Sequence, residues 1–600
     1  MNYTHIKKAI AISALAVSFS STAIADKLTI LHMNDHHSHL QADGGMDLIL
    51  AGEKTRVRSG GFPAIATKVK ELRGANKALL TLHAGDAITG DLYYTLFKGA
   101  ADAALMNAIC FDAFALGNHE FDDGDAGLAS FLDELGKGTC NTQVLAANVM
   151  PEQGVSPLAK KSTTDYFKPH HVFLRAGQKI GVVGIDIAKK TKQSSSPDET
   201  TYFADELETA QAEINTLTAM GVQRIILLTH YQYENDIALA QKLRGVDVII
   251  GGDSHSLLGD FASLGKNASG PYPTLVTGAD GHMVCVAQAW QYAQILGELE
   301  VTFDDNGVVQ NCSGTAHMVL QDSFKRKNAD GQRVELEGDA RNAVLAAVKA
   351  HPSLSLVQED AATAQLLASF SSQVEALQAN IIGRVSSPLC LERIPGQGKS
   401  KMCDASATAK NGSDISNIVA QAFREMSRTG DIAIQNGGGV RTDVPAGDFS
   451  IGDAYKLLPF ANTLVELEMT GAEIHQVLEE ALDYALSEGG STGAYPYAAG
   501  LRWHIDARKA KGQRFEQIQF KGPQDKMWSA LDKDRRYKLI TNNYIAAGRD
   551  GYLTFKTVSQ DGRMVDTYLD YAQSFVDYIQ ERGVIDKLPL DDYSTQSFKP

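Results

Sequence analysis

The stretch Leu116–Asp122, LGNHEFD, places an amide, an imidazole and two carboxylates within five positions, directly after an apolar run. The amide oxygen of Asn118 is a hard metal ligand. The neighbouring His119 imidazole can donate a proton to a bound anion, and Asp122 can fix its tautomer and keep it charged. We interpret the stretch as a catalytic loop with His119 and Asp122 as catalytic residues. The alternative is a polar turn with a satisfied histidine.

Candidate metal ligands follow other apolar runs. Asp35 and His37 are two positions apart, so they project the same way and can share a cation. Asp86 follows Gly85 and could bridge two ions. Two cations about 3.5–4 Å apart that share a carboxylate activate a hydroxide against phosphate esters. Mixed nitrogen and oxygen ligands favour Zn, Mn, Fe or Co. The set predicted to hold two divalent metal ions is Asp35, His37, Asp86, Asn118, His230, Asp253 and His255.

Predicted strands must position these residues. Apolar runs predict strands over 28–33, 78–83, 111–116, 224–229 and 246–250, and helical periodicity fills intervals such as 61–72 and 202–220. Alternating strands and helices predict an α/β layered domain, whose site lies at the carboxyl ends of the strands. We leave four other histidines outside the ligand set, because their strand phase points away or is undetermined: His32, His36, His39 and His83.

The sequence pattern of residues 341–600 predicts a helical connection followed by a second α/β domain. Residues 341–380 have helical spacing, broken at His351-Pro352-Ser353, and we interpret them as a helical linker between domains. From residue 381 the pattern predicts helices over 414–427 and 473–486 and strands over 432–435 and 537–541. The predicted boundaries are therefore 26–340, 341–380 and 381–600.

A glycine-rich loop and two aromatic rings in the second domain predict a nucleotide site. Glycine lets backbone N–H groups approach an anion, and arginine adds a planar fork for phosphate. Two aromatic rings can sandwich a base, and a nearby carboxylate can accept hydrogen bonds from ribose. A glycine-rich loop alone is also typical of a plain turn. The candidate substrate-binding residues are Asn436, Gly438, Gly439, Arg441, Phe460, Tyr544 and Asp550.

Length and charge limit the class of protein. A chain of 600 residues exceeds one hydrophobic core, and the formal net charge of −16 argues against a nucleic-acid partner. Residues 1–25 read as a cleavable signal peptide with a basic start, an apolar core and Ala23-Ile24-Ala25 before the cut. The interpretation is a periplasmic protein of a Gram-negative bacterium, without a membrane anchor.

Six cysteines fit an oxidising compartment. Six cysteines permit 15 pairings. Our hypothesis is the sequential set Cys110–Cys140, Cys285–Cys312 and Cys390–Cys403, because each pair closes a short loop.

The motifs NDHH, GD, GNHEFD, a strand-end His and GGDSH resemble the calcineurin-like metallophosphoesterase domain of the 5′-nucleotidase family. NGGGVR, PF and the Tyr544–Asp550 pair resemble that family's C-terminal domain. Further likeness, through NDHHSHL, LHAGDAITG and STGAYPY, is to a bacterial periplasmic branch that acts on NAD. The resemblance implies an N-terminal layered β-sandwich with flanking helices, joined to an α/β substrate domain, and domain motion about the connection.

The resemblance also implies roles for single residues. One metal would be held by Asp35, His37, Asp86 and His255, and the other by Asp86, Asn118, His230 and Asp253. His119 would bind phosphate and stabilise the transition state, held by Asp122. Family members use an arginine early in the second domain, and Arg393 is the candidate here, although the segment between Cys390 and Cys403 departs from the common pattern.

The function expected is hydrolysis of 5′-nucleotides such as AMP and NMN by a hydroxide that two divalent ions activate. Cleavage of the pyrophosphate of NAD is implied by the resemblance alone. The sequence leaves open a UDP-sugar hydrolase or a 2′,3′-cyclic-nucleotide phosphodiesterase. A non-catalytic nucleotide-binding module is the alternative from another class.

One departure from the family generates a prediction. Many relatives carry histidine where this chain has Asp253, and an amide where it has His255. A carboxylate in place of an imidazole hardens the second metal site and should favour Mn or Mg relative to Zn. We expect Asp253→His to shift the order of metal preference towards Zn in reconstitution assays. An unchanged order would contradict the hypothesis.

Overall fold

The structure, a computed structural model, describes residues 26–76, 78–329, 331–400, 402–460, 462–487 and 490–600. The predicted signal peptide, residues 1–25, lies outside the described residues. Both predicted parts of the mature chain form mixed layers of strands and helices, which confirms the fold class.

Two large sheets and a two-stranded sheet of β7 and β10 form the described part of the N-terminal domain. Its strands are β1 Asp26–Met33, β2 Asp43–Leu50, β3 Glu53–Ser59, β4 Leu79–His83, β5 Ala113–Ala115, β6 Gln143–Leu145, β7 Val149–Pro151, β8 His170–Arg175, β9 Gln178–Asp186, β10 Thr201–Phe203, β11 Arg224–His230, β12 Val248–Gly251, β13 Thr274–Thr277, β14 Met283–Gln288, β15 Ile295–Phe303, β16 Val309–Lys327, β17 Arg333–Glu335 and β18 Leu354–Leu356. The main path of the larger sheet runs β2-β3-β16-β15-β1-β4-β5-β6, and the six-stranded sheet runs β13-β14-β12-β11-β9-β8.

The two sheets pack face to face around an apolar layer. Ile30 and Leu82 of the larger sheet pack in one buried cluster with Val182, Ile226 and Ile250 of the smaller sheet. Within each sheet the central strands are parallel: β1, β4, β5 and β6 in the first, and β9, β11, β12 and β14 in the second. Their carboxyl ends therefore meet at one edge of the sandwich, as the sequence predicts.

Helices cover the sandwich: α1 Phe62–Ala75, α2 Leu92–Phe97, α3 Ala100–Ile109, α4 Gly124–Leu135, α5 Ala188–Ser194, α6 Glu206–Ala219, α7 Tyr233–Lys242, α8 Gly338–Ala350 and α9 Ala361–Gln378. The helix predicted over 202–220 is wrong at its start, because Thr201–Phe203 pairs with β7 as a strand. The true N-terminus is fixed by Asp205, whose side chain accepts a hydrogen bond from the Glu208 N–H.

The second domain carries its own sheets. Its strands are β19 Ile381–Val385, β20 Ile432–Asn436, β21 Gly447–Ser450, β22 Thr463–Thr470, β23 Pro496–Ala499, β24 Leu501–Asp506, β25 Phe515–Phe520, β26 Ser529–Ala530, β27 Arg536–Asn542, β28 Met564–Asp570, β29 Val584–Ile585 and β30 Thr595–Lys599. Its helices are α10 Ala405–Thr408, α11 Asp414–Met426, α12 Ile451–Leu457, α13 Gly471–Leu486, α14 Asn543–Ala546, α15 Leu553–Gln560 and α16 Tyr571–Arg582. The central sheet runs β23-β20-β27-β22-β28.

The segment 341–380 is helical over α8 and α9, with the short strand β18 between them. β18 pairs with β16 of the N-terminal sheet. α9 contacts α1 and α3 on one side and α12 of the second domain on the other. This one helix therefore joins the apolar packing of the two domains. Among the described residues, no helix is long and apolar enough to cross a membrane.

The three disulfides confirm the sequential pairing, Cys110–Cys140, Cys285–Cys312 and Cys390–Cys403. Cys285 lies on β14 and Cys312 on β16, so this bond joins the two sheets of the sandwich. Both residues pack in the apolar layer between the sheets. The sheets that carry the predicted ligands are thus covalently linked.

We expect Cys285→Ala combined with Cys312→Ala to lower the free energy of unfolding by about 3–4 kcal/mol, because the loop constraint on the unfolded chain is lost. Denaturant titration under non-reducing conditions measures this. The comparison variant is Cys110→Ala with Cys140→Ala, which opens a loop of similar length and should lower the free energy of unfolding by a similar amount. An unchanged transition for the first variant would contradict the proposed stabilisation.

Candidate metal centre and nucleotide site

Five loops, each at the carboxyl end of a central strand, bring the predicted metal ligands together. Asp35 and His37 follow β1, Asp86 follows β4, and Asn118 follows β5. His230 ends β11, and Asp253 with His255 follows β12. Six of the seven side chains are buried, and His255 is nearly so. Residues as much as 220 positions apart in sequence therefore share one small volume.

Their ligand atoms lie at distances that suit metal coordination. His37 Nε2 lies 3.1 Å from His255 Nε2, and His255 Nε2 lies 3.3 Å from Asp35 Oδ1. Tetrahedral zinc with bonds of about 2.0–2.1 Å separates two ligand nitrogens by roughly 3.3 Å. On the other side, His230 Nε2 lies 2.9 Å from Asp86 Oδ2. Asp35 belongs to both possible groups, one with His37 and His255, the other with Asp86 and His230.

Asp253 and the second group are also close. Asp253 Oδ1 lies 3.6 Å from His230 Nε2. Asp86 Oδ2 lies 3.6 Å from His37 Nε2, so this carboxylate faces histidines of both groups. That placement is the one expected of a carboxylate that bridges two ions.

Five buried polar atoms at this point make no hydrogen bond of acceptable geometry: Asp86 Oδ2, Asn118 Oδ1, His119 Nε2, His230 Nε2 and Asp253 Oδ2. Of these, only His230 Nε2 and Asp86 Oδ2 face each other at ion-pair distance. A buried polar atom without a partner costs about 1–3 kcal/mol. Five such atoms around one volume fit a bound cation and an anionic ligand far better than they fit a packed core. The residues present therefore fit the metal centre that the sequence predicts.

Hydrogen bonds to the far sides of two imidazoles leave their Nε2 atoms for a metal. His230 Nδ1 bonds to the Ala84 carbonyl at 2.7 Å, and His255 Nδ1 bonds to Gln291 Oε1 at 2.7 Å. Such outer partners fix the tautomer and ring orientation of a ligand histidine. Gln291, in the loop after β14, was not identified from the sequence.

The backbone at the site is strained. Asp35, His37, Asp86, Asp253 and His255 all have φ between 46° and 71°, in the left-handed region that side chains rarely adopt. Such strain concentrates at functional sites, where the surrounding structure holds it in place. The close approach of the loops also requires glycine, since a Cβ on Gly117 would lie 2.3 Å from Asp86 Oδ1.

Glu120, inside the LGNHEFD stretch, holds two of the loops together. Its carboxylate accepts hydrogen bonds from the N–H groups of Asp86 at 2.9 Å, Ala87 at 2.7 Å and Gly117 at 2.7 Å. It is fully buried. The sequence signalled a polar cluster here, but not that this member binds backbone rather than ligand.

Charges within the site favour ionised carboxylates and a protonated His119. Burial raises the pKa of Asp86, but His230, His119 and His37 more than offset it and lower the pKa well below its usual range. Burial lowers the pKa of His119, but Asp122 and Asp86 outweigh it and raise the pKa to about 9. His119 Nδ1 lies 2.6 Å from Asp122 Oδ2, which leaves Nε2 for a ligand.

Two residues at the site were missed by the sequence reasoning. Lys190, on α5, is buried and forms an ion pair with Asp253. Tyr568, on β28 of the second domain, donates a hydrogen bond to the Asp253 backbone carbonyl at 2.5 Å. Its ring stacks on His255 at 4.8 Å and lies edge-on to His119 at 5.3 Å. No local motif marks either residue, because only the tertiary fold brings them here.

Tyr568 fills the space in front of the ligands. The gap left among His37, His39, Tyr292, Tyr568 and Asp570 is about 10 Å³, room for roughly one water molecule.

The four histidines left outside the ligand set make other contacts. His36 Nδ1 bonds to His83 Nε2 at 2.9 Å, His32 bonds to the Tyr272 hydroxyl at 2.7 Å, and His39 bonds to the His37 carbonyl at 2.9 Å.

In the second domain the structure brings Asn436, Tyr544 and Asp550 together. Asn436 Nδ2 donates to Asp550 Oδ2 at 3.0 Å, and the Tyr544 hydroxyl donates to Asp550 Oδ1 at 3.1 Å. Phe460 and Tyr544 are each 43% exposed, which is unusual for aromatic rings and leaves both accessible to a ligand.

Arginine side chains lie beside these rings. The Arg441 guanidinium lies 5.4 Å from the centre of the Phe460 ring and donates to the Gly438 carbonyl at 3.0 Å. Burial and then the neighbouring Arg441 lower the pKa of Arg393, while Asp550 raises it, so Arg393 faces the same cluster. Its Nε is buried without a partner. Gly439 packs against Gln435 and Asn436 in the loop after β20.

This combination defines a two-domain metallophosphoesterase with a separate domain for a nucleotide. Family models match residues 28–257 as calcineurin-like phosphoesterase and residues 393–557 as 5′-nucleotidase, C-terminal domain. The NAD 5′-nucleotidase of Haemophilus influenzae is 39% identical over 95% of this chain and 94% of its own length. A probable 5′-nucleotidase of Treponema pallidum is 39% identical over 92% of each chain. The chain belongs to the 5′-nucleotidase family.

Two solved structures are similar to this chain over nearly its whole length. The structure of Haemophilus influenzae NAD nucleotidase matches with a TM-score of 0.82 and 38% identity, covering 96% of this chain and 99% of the other. A 5′-nucleotidase precursor from Thermus thermophilus matches with a TM-score of 0.55 and 31% identity over 96% and 99%.

We expect Glu120→Ala to destabilise the protein by at least about 3 kcal/mol, since three buried N–H groups lose their acceptor. Metal content should fall as well, because the loops that carry Asp86 and Asn118 separate. Thermal unfolding and elemental analysis of the metal-loaded protein measure both effects. Glu134→Ala, which removes a surface carboxylate paired with Lys137, is the control and should change neither. Full metal retention in Glu120→Ala would contradict this role.

Proposed function

We propose that the protein is a periplasmic nucleotidase that hydrolyses 5′-nucleotides such as AMP and NMN, and also the pyrophosphate of NAD, with two divalent metal ions. The observation that carries this proposal is the cluster of seven ligand side chains with five unpartnered buried atoms. The exposed Tyr544 ring beside Asp550 and the exposed Phe460 ring beside Arg441, both in the second domain, support a nucleotide as the substrate. The names of the relatives, NAD 5′-nucleotidase and 5′-nucleotidase, support the same choice.

In the proposed site, Asp35, His37, Asp86 and His255 hold one cation, and Asp86, Asn118, His230 and Asp253 hold the other. Zinc or manganese suits this mixture of nitrogen and oxygen ligands. When bound, such a pair supplies a hydroxide at neutral pH and offsets charge on the phosphoryl oxygens. Asp86 Oδ2 faces histidines of both groups, and Asp35 belongs to both, so either carboxylate could be shared by two cations.

His119 and residues of the second domain bind the substrate. His119 Nε2, without a partner and held on its far side by Asp122, donates to a phosphoryl oxygen and stabilises charge that develops there. Phe460 and Tyr544 stack on the base, and Asp550 accepts hydrogen bonds from ribose. Arg393, Arg441, Asn436 and the N–H groups of Gly438 and Gly439 bind the remaining polar groups of the nucleotide.

Substrate entry requires the domains to move. Tyr568 of the second domain fills the space in front of His255 and His119, so a phosphate reaches the ligands only after that ring withdraws. The proposed domains are 26–340 and 381–600, with 341–380 as the connection. α9, which contacts both domains, is the element about which they turn.

The test is an assay of the purified mature protein on AMP, NMN, NAD, UDP-glucose, 2′,3′-cyclic AMP and p-nitrophenyl phosphate, with manganese or zinc and with EDTA. We expect phosphate release from AMP and NMN, cleavage of NAD, and loss of all activity in EDTA. His119→Ala should lower kcat by about 10²–10⁴-fold with full metal content. Nucleotide binding without turnover in either metal would support a binding module and refute the proposal.

Phe460→Ala and Tyr544→Ala should each lower kcat/KM for AMP by about 10–100-fold, because stacking contributes about 1–3 kcal/mol per base. The same variants should leave p-nitrophenyl phosphate hydrolysis within about twofold, since that substrate has no base to stack. Equal losses on both substrates would contradict the assigned base site.

A further inference from the structure

Lys190 is a buried cation that faces the volume in front of the metal ligands. It lies on α5 and is 8% exposed. Its ammonium group pairs with Asp253 on one side and lies 3.8 Å from the centre of the Tyr568 ring on the other. A lysine is rarely buried unless its charge has a use or a partner. Two of its contacts are with a candidate metal ligand and with a ring that belongs to the second domain.

The Tyr568 ring marks the space that a substrate would fill. It stands within 4.8 Å of the His255 ring, 5.7 Å of the His37 ring and 5.3 Å of the His119 ring, measured between centroids. Lys190 approaches the same ring. Withdrawal of Tyr568 would therefore leave one volume bordered by the candidate ligands, His119 and the Lys190 ammonium group.

Charge balance indicates a role for the Lys190 ammonium group. The three candidate ligand carboxylates carry three negative charges, and two divalent cations carry four positive charges. In a complex with inorganic phosphate, before any hydroxide is counted, the remaining single positive charge does not neutralise a phosphate dianion, whereas that charge and one lysine together do. His119, when protonated, is already matched by Asp122 at 2.6 Å. The Asp566 carboxylate of β28 also interacts electrostatically with Lys190. It would move away together with Tyr568, because both residues belong to β28.

From this geometry, and on the basis of the function proposed above, we propose that Lys190 is a further substrate-binding residue that binds the phosphate of the nucleotide in the metal centre. In the arrangement observed, the Tyr568 ring takes the place of that phosphate. An ammonium group to a phosphate oxygen is a charge-assisted hydrogen bond, roughly twice as strong as a neutral one. Lys190 would keep its contact with Asp253 while its ammonium group also binds a phosphate oxygen.

The experiment measures binding of inorganic phosphate to the manganese-loaded protein by calorimetry, with bound manganese quantified by elemental analysis. Lys190→Met keeps the length of the side chain and removes its charge, and Lys190→Arg keeps the charge. Lys189→Met is the matched control, because Lys189 lies next to it on α5 and is exposed. Each variant is also made in a Tyr568→Ala protein, so that a shift of the domain arrangement cannot mimic an effect on phosphate.

We expect Lys190→Met to weaken phosphate binding by about 10–100-fold in both backgrounds while two manganese ions remain bound. The KM for AMP should rise with it. Lys190→Arg should stay within about fivefold of the parent, and Lys189→Met should match the parent. Unchanged phosphate affinity in Lys190→Met, or loss of manganese from it, would overturn the proposal and make Lys190 only a counter-ion of Asp253. Because phosphate binding needs no turnover, a wild-type protein without nucleotidase activity would refute the proposed function separately.

Discussion

The site depends on one electrostatic constraint, the burial of three carboxylates and three imidazoles within ligand distance of one another. Asp35, Asp86 and Asp253 are fully buried and converge on His230, with Asp86 2.9 Å from its Nε2. Like charges this close and this far from water are costly unless cations lie among them. The backbone strain at five of the ligand positions adds to that cost. Bound metal ions would offset the electrostatic cost, which is the physical reason for the metal centre proposed here.

The sandwich makes this constraint possible. Parallel strands of two different sheets deliver the ligands, so neither sheet alone can form the site. The Cys285–Cys312 bond and the apolar layer around Ile30 and Ile226 hold the sheets in register. Glu120 then ties the loops after β4 and β5 together from behind. The position of each ligand is thus set by packing and hydrogen bonds that involve no metal.

Sequence reasoning reached the fold class and the assembly of the ligands, because strand ends with Asp, Asn and His are local signals and parallel strands must end together. The sequence did not identify Lys190, Gln291 or Tyr568. Each of them contacts a ligand residue that lies more than 30 positions away in the chain, and none stands in a motif. The helix predicted over 202–220 began too early because pairing of Thr201–Phe203 with β7 overrides its local periodicity. The role of Glu120 was likewise hidden, since backbone N–H acceptors leave no pattern in side-chain spacing.

In the proposed metal centre, these seven side chains would hold two divalent cations that share a carboxylate. Anomalous diffraction from crystals of the mature protein grown with manganese tests this directly. We expect two anomalous peaks about 3.5–4 Å apart, one beside His37 and His255 and the other beside His230 and Asp253, with Asp86 between them. A single peak, or two peaks outside this cluster, would contradict it.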